Sequence, residues 1–567
     1  MPFAAKTIPF TPGPDFGGAE LILSAKYTKQ GGWPGAQFIA LASSPLIAFT
    51  DIISGPASGL GDGLGSGAIV TLWGWGFGST QGSSQVYFTD SLGTKRAAAY
   101  IYYWKKADGV APSGPSPLWD SHCMQEIAVS VPAGSATGLG YWTVEGTTGI
   151  SPAMPFTIRT GNIYWCAPAA DGGNNANTGT YASPREYVNG DINSTNAPTD
   201  GGMGNQGLVA GDIVYSRGVT EPTFTSNGTE CGMYLRGLNG TPNNDDSQQI
   251  AILPYPGTHC LITSHARGVN CYLTTGIVIA KYVIEAGSKL ASDTDPANIG
   301  AGLQSLSTYH VGGSMFGRII GNEFQQPTGY VVNGWDGTVT CGGDGGDGLV
   351  VLGNHGADLG NDYTSHFWHM MYFSVRSGGY VNTNGMTVNY NFFERCKGHD
   401  GIHFYDTNQQ TPTPDLTGPI RINYNVIIDQ RDAGIYVGTD NAGSPEWHPS
   451  LLQIVGNVLK RCGVGKAAEP NNGTLPVGIS VGGDIVATNV QIDSNITYSI
   501  SDYDSRNATN AQTAAHIAVG FTVNPTTLSI TNNIHYDDQD IRFLYLTGAS
   551  SPTTGDSNCF YTTASSP

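Results

Sequence analysis

Along the C-terminal half of the chain an aliphatic residue recurs three positions before an asparagine. The asparagines are Asn322, Asn354, Asn391, Asn425, Asn457, Asn495 and Asn533, at intervals of 32, 37, 34, 32, 38 and 38 residues. The aliphatics are Ile319, Val351, Val388, Ile422, Ile454, Ile492 and Ile530. A second mark, glycine then isoleucine, falls at Gly401-Ile402, Gly434-Ile435 and Gly478-Ile479, each followed by alternating residues. Periods of this size indicate stacked units. Each unit carries short period-two runs and no amphipathic helix, which excludes ankyrin-type and helical repeats. An aliphatic at one place in every coil builds a continuous apolar column. An asparagine at the bend tolerates left-handed backbone and can hydrogen-bond the asparagine of the next coil. The pattern therefore predicts a β-solenoid. A β-propeller shares the period, but no four-strand blade signature accompanies it. The uneven intervals put extra residues into loops, where function in repeat folds collects.

Upstream the pattern differs. Strand-like runs such as Ala68–Trp73, Gln85–Phe88 and Glu126–Val131 alternate with Gly/Pro/Ser turns and predict a β-sandwich over residues 51–158. Residues 1–50 show no clear period and are read as an N-terminal segment, suited to attachment. Ile53-Ser-Gly-Pro56, Gly74-Trp75-Gly76-Phe77-Gly78, Gly140–Val144 and Pro155–Ile158 resemble the immunoglobulin-like domain shared by plexins and transcription factors. That resemblance implies a spacing or binding role, not catalysis. From Gly161-Asn-Ile-Tyr-Trp165, through Gly211-Asp-Ile-Val-Tyr-Ser-Arg-Gly218, to Ile250-Ala-Ile-Leu-Pro-Tyr-Pro-Gly257, the order resembles the entry to bacterial right-handed β-helix proteins of the pectate-lyase-like superfamily. The expected fold is all-β: a right-handed parallel β-helix over 159–567 with a C-terminal cap, preceded by an immunoglobulin-like sandwich.

Composition agrees with that plan. Of 567 residues 79 are glycine and only 12% are charged, which suits turns and strands rather than long helices. The net charge of −19 disfavours a general nucleic-acid binder. The nine cysteines form no CxxC pair, so a zinc site of that type is not expected. Cys396 and Cys462 each follow a repeat asparagine by five residues and read as small core side chains. Met1–Phe10 has no basic segment followed by an apolar run, so neither a signal peptide nor membrane insertion is expected.

Aligning coils by their marks lays His369–Ser374 over Asp400–Tyr405 over Ala433–Gly438. Strand alternation then turns Met371, Ile402 and Ile435 inward and makes Tyr372, His403 and Tyr436 an outward strip. His369 and Asp400 become neighbours in a second column. Candidate catalytic residues are His369, Tyr372, Glu394, Asp400, His403 and Asp432. Candidate substrate-binding residues are Trp368, Arg376, Arg395, Lys397, His399, Tyr405, Asp406, Arg431, Tyr436 and Trp447. Aromatic faces stack on sugar C–H groups while acids and bases bind hydroxyls, so the strip points to a polysaccharide. Each residue also has a plain reading: groove-lining histidines, stacking tyrosines, Asp400 as a turn cap, Trp447 as a loop feature.

Two chemistries fit these candidates. A glycoside hydrolase needs two carboxyl groups, here Asp400 with Asp432, Glu394 or Asp406. A polysaccharide lyase needs a base beside a uronate carboxylate and a cation to stabilise the charge, roles open to His369, His403, Tyr372, Lys397 and Arg395. Gly398-His-Asp-Gly401 only loosely echoes the pectinase "GHG" element, and no paired-aspartate motif accompanies it, which puts a pectinase mechanism in doubt. No cofactor is expected. The acidic loops Asp344–Asp347 and Asp502–Asp504 offer oxygen ligands that could hold Ca²⁺, although solvated turn carboxylates explain them as simply. The chain is similar to phage tailspike depolymerases, which implies a homotrimer on a phage tail or baseplate, in the virion, acting on a bacterial surface glycan. A non-catalytic receptor-binding protein and a secreted bacterial lyase or hydrolase are the competing readings.

Overall fold

The computed structural model describes residues 44–136, 144–186 save 147–148, and most of 207–562. The longer breaks in that last stretch fall at 291–303, 311–315, 332–336, 361–368, 376–380, 407–415, 440–446, 464–476 and 501–514. Of the segment 1–50 read as suited to attachment, the structure describes the strands Thr7–Phe10, Leu21–Gln30, Trp33–Ala40 and Leu46–Thr50; its remaining residues before 44 lie outside the described residues. So do Trp368, Arg376 and the side chain of Asp406, the carboxylate Asp344, and the whole Asp502–Asp504 loop.

From Ile163 onward the chain winds as a parallel β-helix. Each coil gives one strand to each of three long parallel sheets. The first sheet runs from Ile163–Cys166 to Thr527–Thr531 in eleven strands. The second follows the asparagine bend and includes Phe392–Glu394 and Val426–Gln430. The third carries Met371–Val375, Ile402–Asp406 and Ile435–Thr439. The repeat aliphatics stack in register from Ile319 to Ile530 and are at most 2% exposed. Sequential in-register rungs place each inward side chain against its counterpart above and below, so one apolar column fills the coil.

The asparagines form the ladder the period implied. Asn322 Nδ2 donates to Asn354 Oδ1 at 3.0 Å, Asn354 to Asn391 at 2.9 Å, and so on through Asn425, Asn457, Asn495 and Asn533. Each second amide hydrogen from Asn354 to Asn533 goes to the carbonyl of the aliphatic one coil back, as from Asn425 Nδ2 to Val388 O at 2.8 Å. The left-handed backbone, however, is not at the asparagine. It falls one residue earlier, at Tyr390, Tyr424, Ser494 and Asn532, and again four residues later, at Asp358, Arg395, Asp429, Arg461 and Ser499. The asparagine is needed for its side chain, not for its φ. The glycines of the Gly-Ile marks serve close approach: a Cβ on Gly401 would sit 2.5 Å from Gly434 O, and one on Gly434 2.9 Å from Gly478 O. Cys396 and Cys462 are buried and free, as core side chains.

Three antiparallel sheets precede the helix: a three-stranded one of Thr7–Phe10, Leu21–Gln30 and Trp33–Ala40, and two that make the sandwich. One orders Leu46–Thr50, Ile69–Trp75, Gln125–Ser130 and Tyr100–Lys106; the other includes Tyr141–Gly146, Gln85–Thr89 and Lys95–Ala97. The strand at Leu46–Thr50 belongs to this sandwich, so its sheet begins before residue 51. The sandwich does not stand off as a spacer. It lies against the outer face of the first sheet, and one buried cluster joins Phe49, Trp73, Trp104 and Leu118 to Tyr215, Leu253, Ala280, Ile320, Tyr390 and Tyr424. Polar contacts tie the same seam. Lys281 Nζ sits 2.9 Å from Asp51 Oδ2 with both side chains at most 5% exposed, Arg318 donates to the carbonyl of Thr50, and His122 Nε2 meets Tyr424 O at 2.6 Å.

At the far end the described residues supply no cap. Leu544, Leu546 and Phe560 occupy inward positions of the last coil, in register with Ile517, Val519 and His535, yet remain 37, 38 and 50% exposed.

Candidate functional site

The third sheet presents the expected strip. Tyr372 pairs with His403 and His403 with Tyr436, and beyond them come Ser480, Ala518 and Tyr545. Ring centroids stand 5.4 Å apart for Tyr372–His403 and 4.8 Å for His403–Tyr436, the latter stacked at 17°. Tyr405 flanks His403 at 5.1 Å. Met371, Ile402 and Ile435 point inward and are fully buried.

Behind the strip lies a charged cluster. Asp400 and His399 precede the Gly401-Ile402 strand entry, and His369 holds the equivalent place one coil back. His403 Nδ1 is 2.6 Å from Asp400 Oδ2. His399 lies between two acids, its Nδ1 3.1 Å from Asp400 Oδ2 and its Nε2 3.1 Å from Asp432 Oδ2. Ala433 N–H donates to Asp400 Oδ1 at 3.0 Å. Asp400, Asp432, His369 and His403 are all buried.

Burial and charge sort the protons. Burial alone would raise the Asp400 carboxyl, but the surrounding imidazoles outweigh it and hold it well below its usual range. Burial opposes the charged form of His399, yet Asp400 and Asp432 push it up to about 9. His369 is driven well below its usual 6.5 by burial and by the neighbouring His403. His403 is lowered by burial against the pull of Asp400. At neutral pH the cluster is an Asp400 carboxylate facing a His399 imidazolium, beside neutral His369 and His403.

In that state Asp400 fixes the Nδ1–H tautomer of His403. The lone pair is then on Nε2, which makes no hydrogen bond among the described residues. This is a base oriented by a carboxylate. It is not a carboxylic-acid pair: Asp400 and Asp432 are both turned to His399.

Other candidates sit elsewhere. Glu394 and Arg395 lie at the second-sheet bend, where Arg395 makes a two-pronged contact with Asp358 at 2.8 and 2.9 Å and meets Glu394 at 2.6 Å. Lys397 is exposed beyond them. Trp447 is no sugar platform: it is fully buried in the coil core, edge-on to Phe404. Arg431 is 8% exposed, its N–H donating to Cys396 O. Asp347 accepts from Asn384 N–H at 2.7 Å and Nδ2 at 2.8 Å, as a turn carboxylate would.

Period reading missed two features. Asn558 extends the ladder, accepting from Asn533 Nδ2 at 3.0 Å, but it follows after only 25 residues and has Gly555 in the aliphatic place. A trough of about 200 Å³ continues the strip, with Tyr436 and Tyr545 at its ends and Ser480, Gly482, Ala518 and Gly520 in its lining. Three rungs separate the tyrosines, roughly 14 Å. The run of small outward residues in consecutive coils was its signal.

Fold and site together define a parallel β-helix protein with an open aromatic face and an oriented histidine beneath it. No family model matches the chain, no curated protein matches it, and no solved structure matches it.

Proposed function

We propose that the outer face of the third sheet binds a uronate-containing polysaccharide and cleaves it by base-initiated elimination. The observation that carries this reading is the 2.6 Å His403–Asp400 contact within a stacked Tyr372–His403–Tyr436 strip. The tyrosine faces suit sugar rings, and the trough beyond Tyr436 gives a short oligosaccharide room to lie along successive coils. In the proposed step His403 Nε2 takes the proton from the carbon beside the uronate carboxylate. The glycosidic C–O bond one carbon further then breaks, its electron pair leaves on the departing oxygen, and that oxygen gains a proton. The products are an unsaturated uronate and a new chain end. The protonated His399 contributes positive charge behind the site. A two-carboxylate hydrolysis has less support, because Asp400 and Asp432 are buried against one histidine and Glu394 belongs to a different sheet. In keeping with the resemblance of the sequence to tailspike and pectate-lyase-like proteins, we read the substrate as a bacterial surface glycan and the protein as a phage spike.

The test is incubation with a panel of uronate-containing capsular polysaccharides, following ultraviolet absorbance of the unsaturated product. Cleavage is expected, and His403→Ala should slow it by about 100-fold or more while the chain keeps its β-helix, checked by circular dichroism. Glycan binding without product in the wild type would make this a receptor-binding surface, and an active His403→Ala variant would remove the base from the mechanism.

A further inference from the structure

Asp400 Oδ2 is approached by more imidazole nitrogens than it can serve. His403 Nδ1 lies 2.6 Å away, His399 Nδ1 3.1 Å and His369 Nδ1 3.4 Å. A carboxylate oxygen has two lone pairs. His403 is close enough to take one, and His399 is placed by both of its acids. His369 is left over. Its side chain is 4% exposed, and its Nδ1 faces Asp400 N–H and Asp400 Oδ2, both at 3.4 Å. The first contact needs a lone pair on Nδ1 and the second a proton, so one is always unmet, and both are long for a hydrogen bond. A buried imidazole is thus aimed at a carboxylate oxygen without being properly bonded to it. Its ring stacks on Tyr372 at 5.3 Å and lies against His403 at 3.8 Å, which accounts for the ring's place but leaves Nδ1 without a well-formed hydrogen bond.

We propose that His369, Asp400 and His403 form a binding site for a divalent transition-metal ion of zinc-like character. Their ligating atoms all lie within 4.8 Å of one another. Around a tetrahedral ion with arms of about 2.0–2.1 Å, ligand atoms stand roughly 3.3 Å apart. The His369–Asp400 separation of 3.4 Å already has that value. The 2.6 Å His403–Asp400 contact must open by less than about 1 Å to reach it. Two imidazoles and one carboxylate select zinc, cobalt or nickel over calcium or magnesium, which take oxygen. Three protein ligands leave a fourth position for water or a substrate oxygen.

The ion changes the tautomer of His403. Nδ1 loses its hydrogen to water and Nε2 takes one up from water, so the ring stays neutral, and Asp400 Oδ2 changes from hydrogen-bond acceptor to metal ligand. With the ion on Nδ1 and the proton on Nε2, the ring no longer accepts a proton there. Metal-bound and base-competent forms are therefore alternative states of the same residues, and zinc shuts off the elimination. That consequence rests on the function proposed above; metal uptake does not.

The chelator-stripped full chain is titrated with Zn²⁺ by calorimetry and with Co²⁺ by visible absorbance. One ion per chain and the intense bands of four-coordinate cobalt are expected. His369→Ala, which keeps the Asp400–His399–Asp432 charges, should weaken uptake on the order of 100-fold or more; His403→Gln is the second variant if His369→Ala fails to fold. Absence of stoichiometric uptake by the wild type, or equal uptake by a folded ligand variant, overturns the site. Zinc should abolish glycan cleavage and a chelator restore it. A wild type that takes up one ion yet never cleaves glycan keeps the metal site and loses only the reaction.

Discussion

The outer faces of the first and third sheets have the same backbone plan and opposite fates. In the early coils the first sheet is apolar on both sides: Ile250-Ala-Ile-Leu253 and Ile277-Val-Ile-Ala280 are buried at every position, because the sandwich covers the face that the coil core does not. In later coils the same sheet reads Ile420-Arg-Ile-Asn423, and its outward positions become a polar ladder, with Asn423 Nδ2 donating to Gln453 Oε1 and Gln453 Nε2 to Gln491 Oε1. The third sheet follows neither course. Its outward column runs through three rings, Tyr372, His403 and Tyr436, then two small residues, Ser480 and Ala518, and then Tyr545, with the tyrosines partly exposed and His403 buried between two of them. An inward column says only that a coil closes. What a coil is for is written in the outward column, as an apolar run where another layer docks, amides where the face meets water, and rings with glycines where something else is to lie.

The largest predicted effect breaks the covered face. Asp51 and Lys281 form an ion pair across the seam at 2.9 Å, almost wholly buried. Asp51→Ala strands the ammonium of Lys281 without its counter-charge, and a buried pair broken on one side costs about 3–5 kcal/mol. The carboxylate also accepts the N–H groups of Ile52 and Thr71, so the loss reaches into the sandwich. Calorimetry should show a markedly lower melting temperature, and the Asp51→Ala, Lys281→Met double variant should recover much of it. An unchanged melting temperature in the single variant would mean that the sandwich is not held by this seam.

Sequence reading reached the open face more fully than the covered one, for physical reasons. Tyr372, His403 and Tyr436 could be aligned because the Gly-Ile marks fix register, and a one-residue error would have turned every side chain over. The ladder asparagines and their aliphatics were legible because each must match its neighbour in the next coil. Docking has no such period. Its trace was the unbroken apolar run in strands such as Ile277–Ala280, the mark of a strand buried on both faces. Trp447 was misjudged because it lies in a connection of irregular length, where neither alternation nor a repeat mark shows which way a side chain turns. The left-handed bends were placed on asparagine by its intrinsic tolerance, whereas hydrogen-bond demand keeps that side chain inside the ladder and moves the bend to Tyr390 or Tyr424.

One histidine of each face, His122 and His399, should also separate on titration. His122, in the covered seam, is lowered by burial to about 4 against the pull of its hydrogen bond to Tyr424 O. A histidine depressed on folding contributes stability that is complete above the ordinary 6.5 and is lost as pH falls toward the folded value. His535, lowered by burial to about 3, and the depressed His369 and His403 act in the same sense. His399, behind the open face, is raised to about 9, so its contribution is complete below 6.5 and is lost as pH climbs from there through 9. Melting temperature should peak near pH 6.5 and fall on both sides. His122→Gln should flatten part of the acid limb and His399→Gln the alkaline limb. If each variant altered the limb assigned to the other, the division between faces would be wrong.

The smallest predicted effect sharpens what is meant by an open face. Tyr545 stands at the far end of the trough from Tyr436, with Ser480 and Ala518 between them in register. Glycine in the neighbouring column keeps the floor low: a Cβ on Gly438 would sit 2.4 Å from the Tyr436 hydroxyl, and one on Gly482 2.3 Å from Gly520 O. These positions carry no side chain because rings and backbone need the space, which leaves a channel between the two phenols. If a glycan lies in it, Tyr545→Ala removes one stacking face worth about 1 kcal/mol, roughly fivefold in affinity. The base at His403 is one rung beyond Tyr436 and four rungs from Tyr545, so it should be untouched, and KM should rise several-fold while kcat holds. The last strand is partly exposed and contributes little to the core, so stability should barely change. A fall in kcat with constant KM would place Tyr545 in the chemistry rather than in binding, and no change in either would mean that the glycan leaves the strip at Tyr436 and the trough serves another purpose.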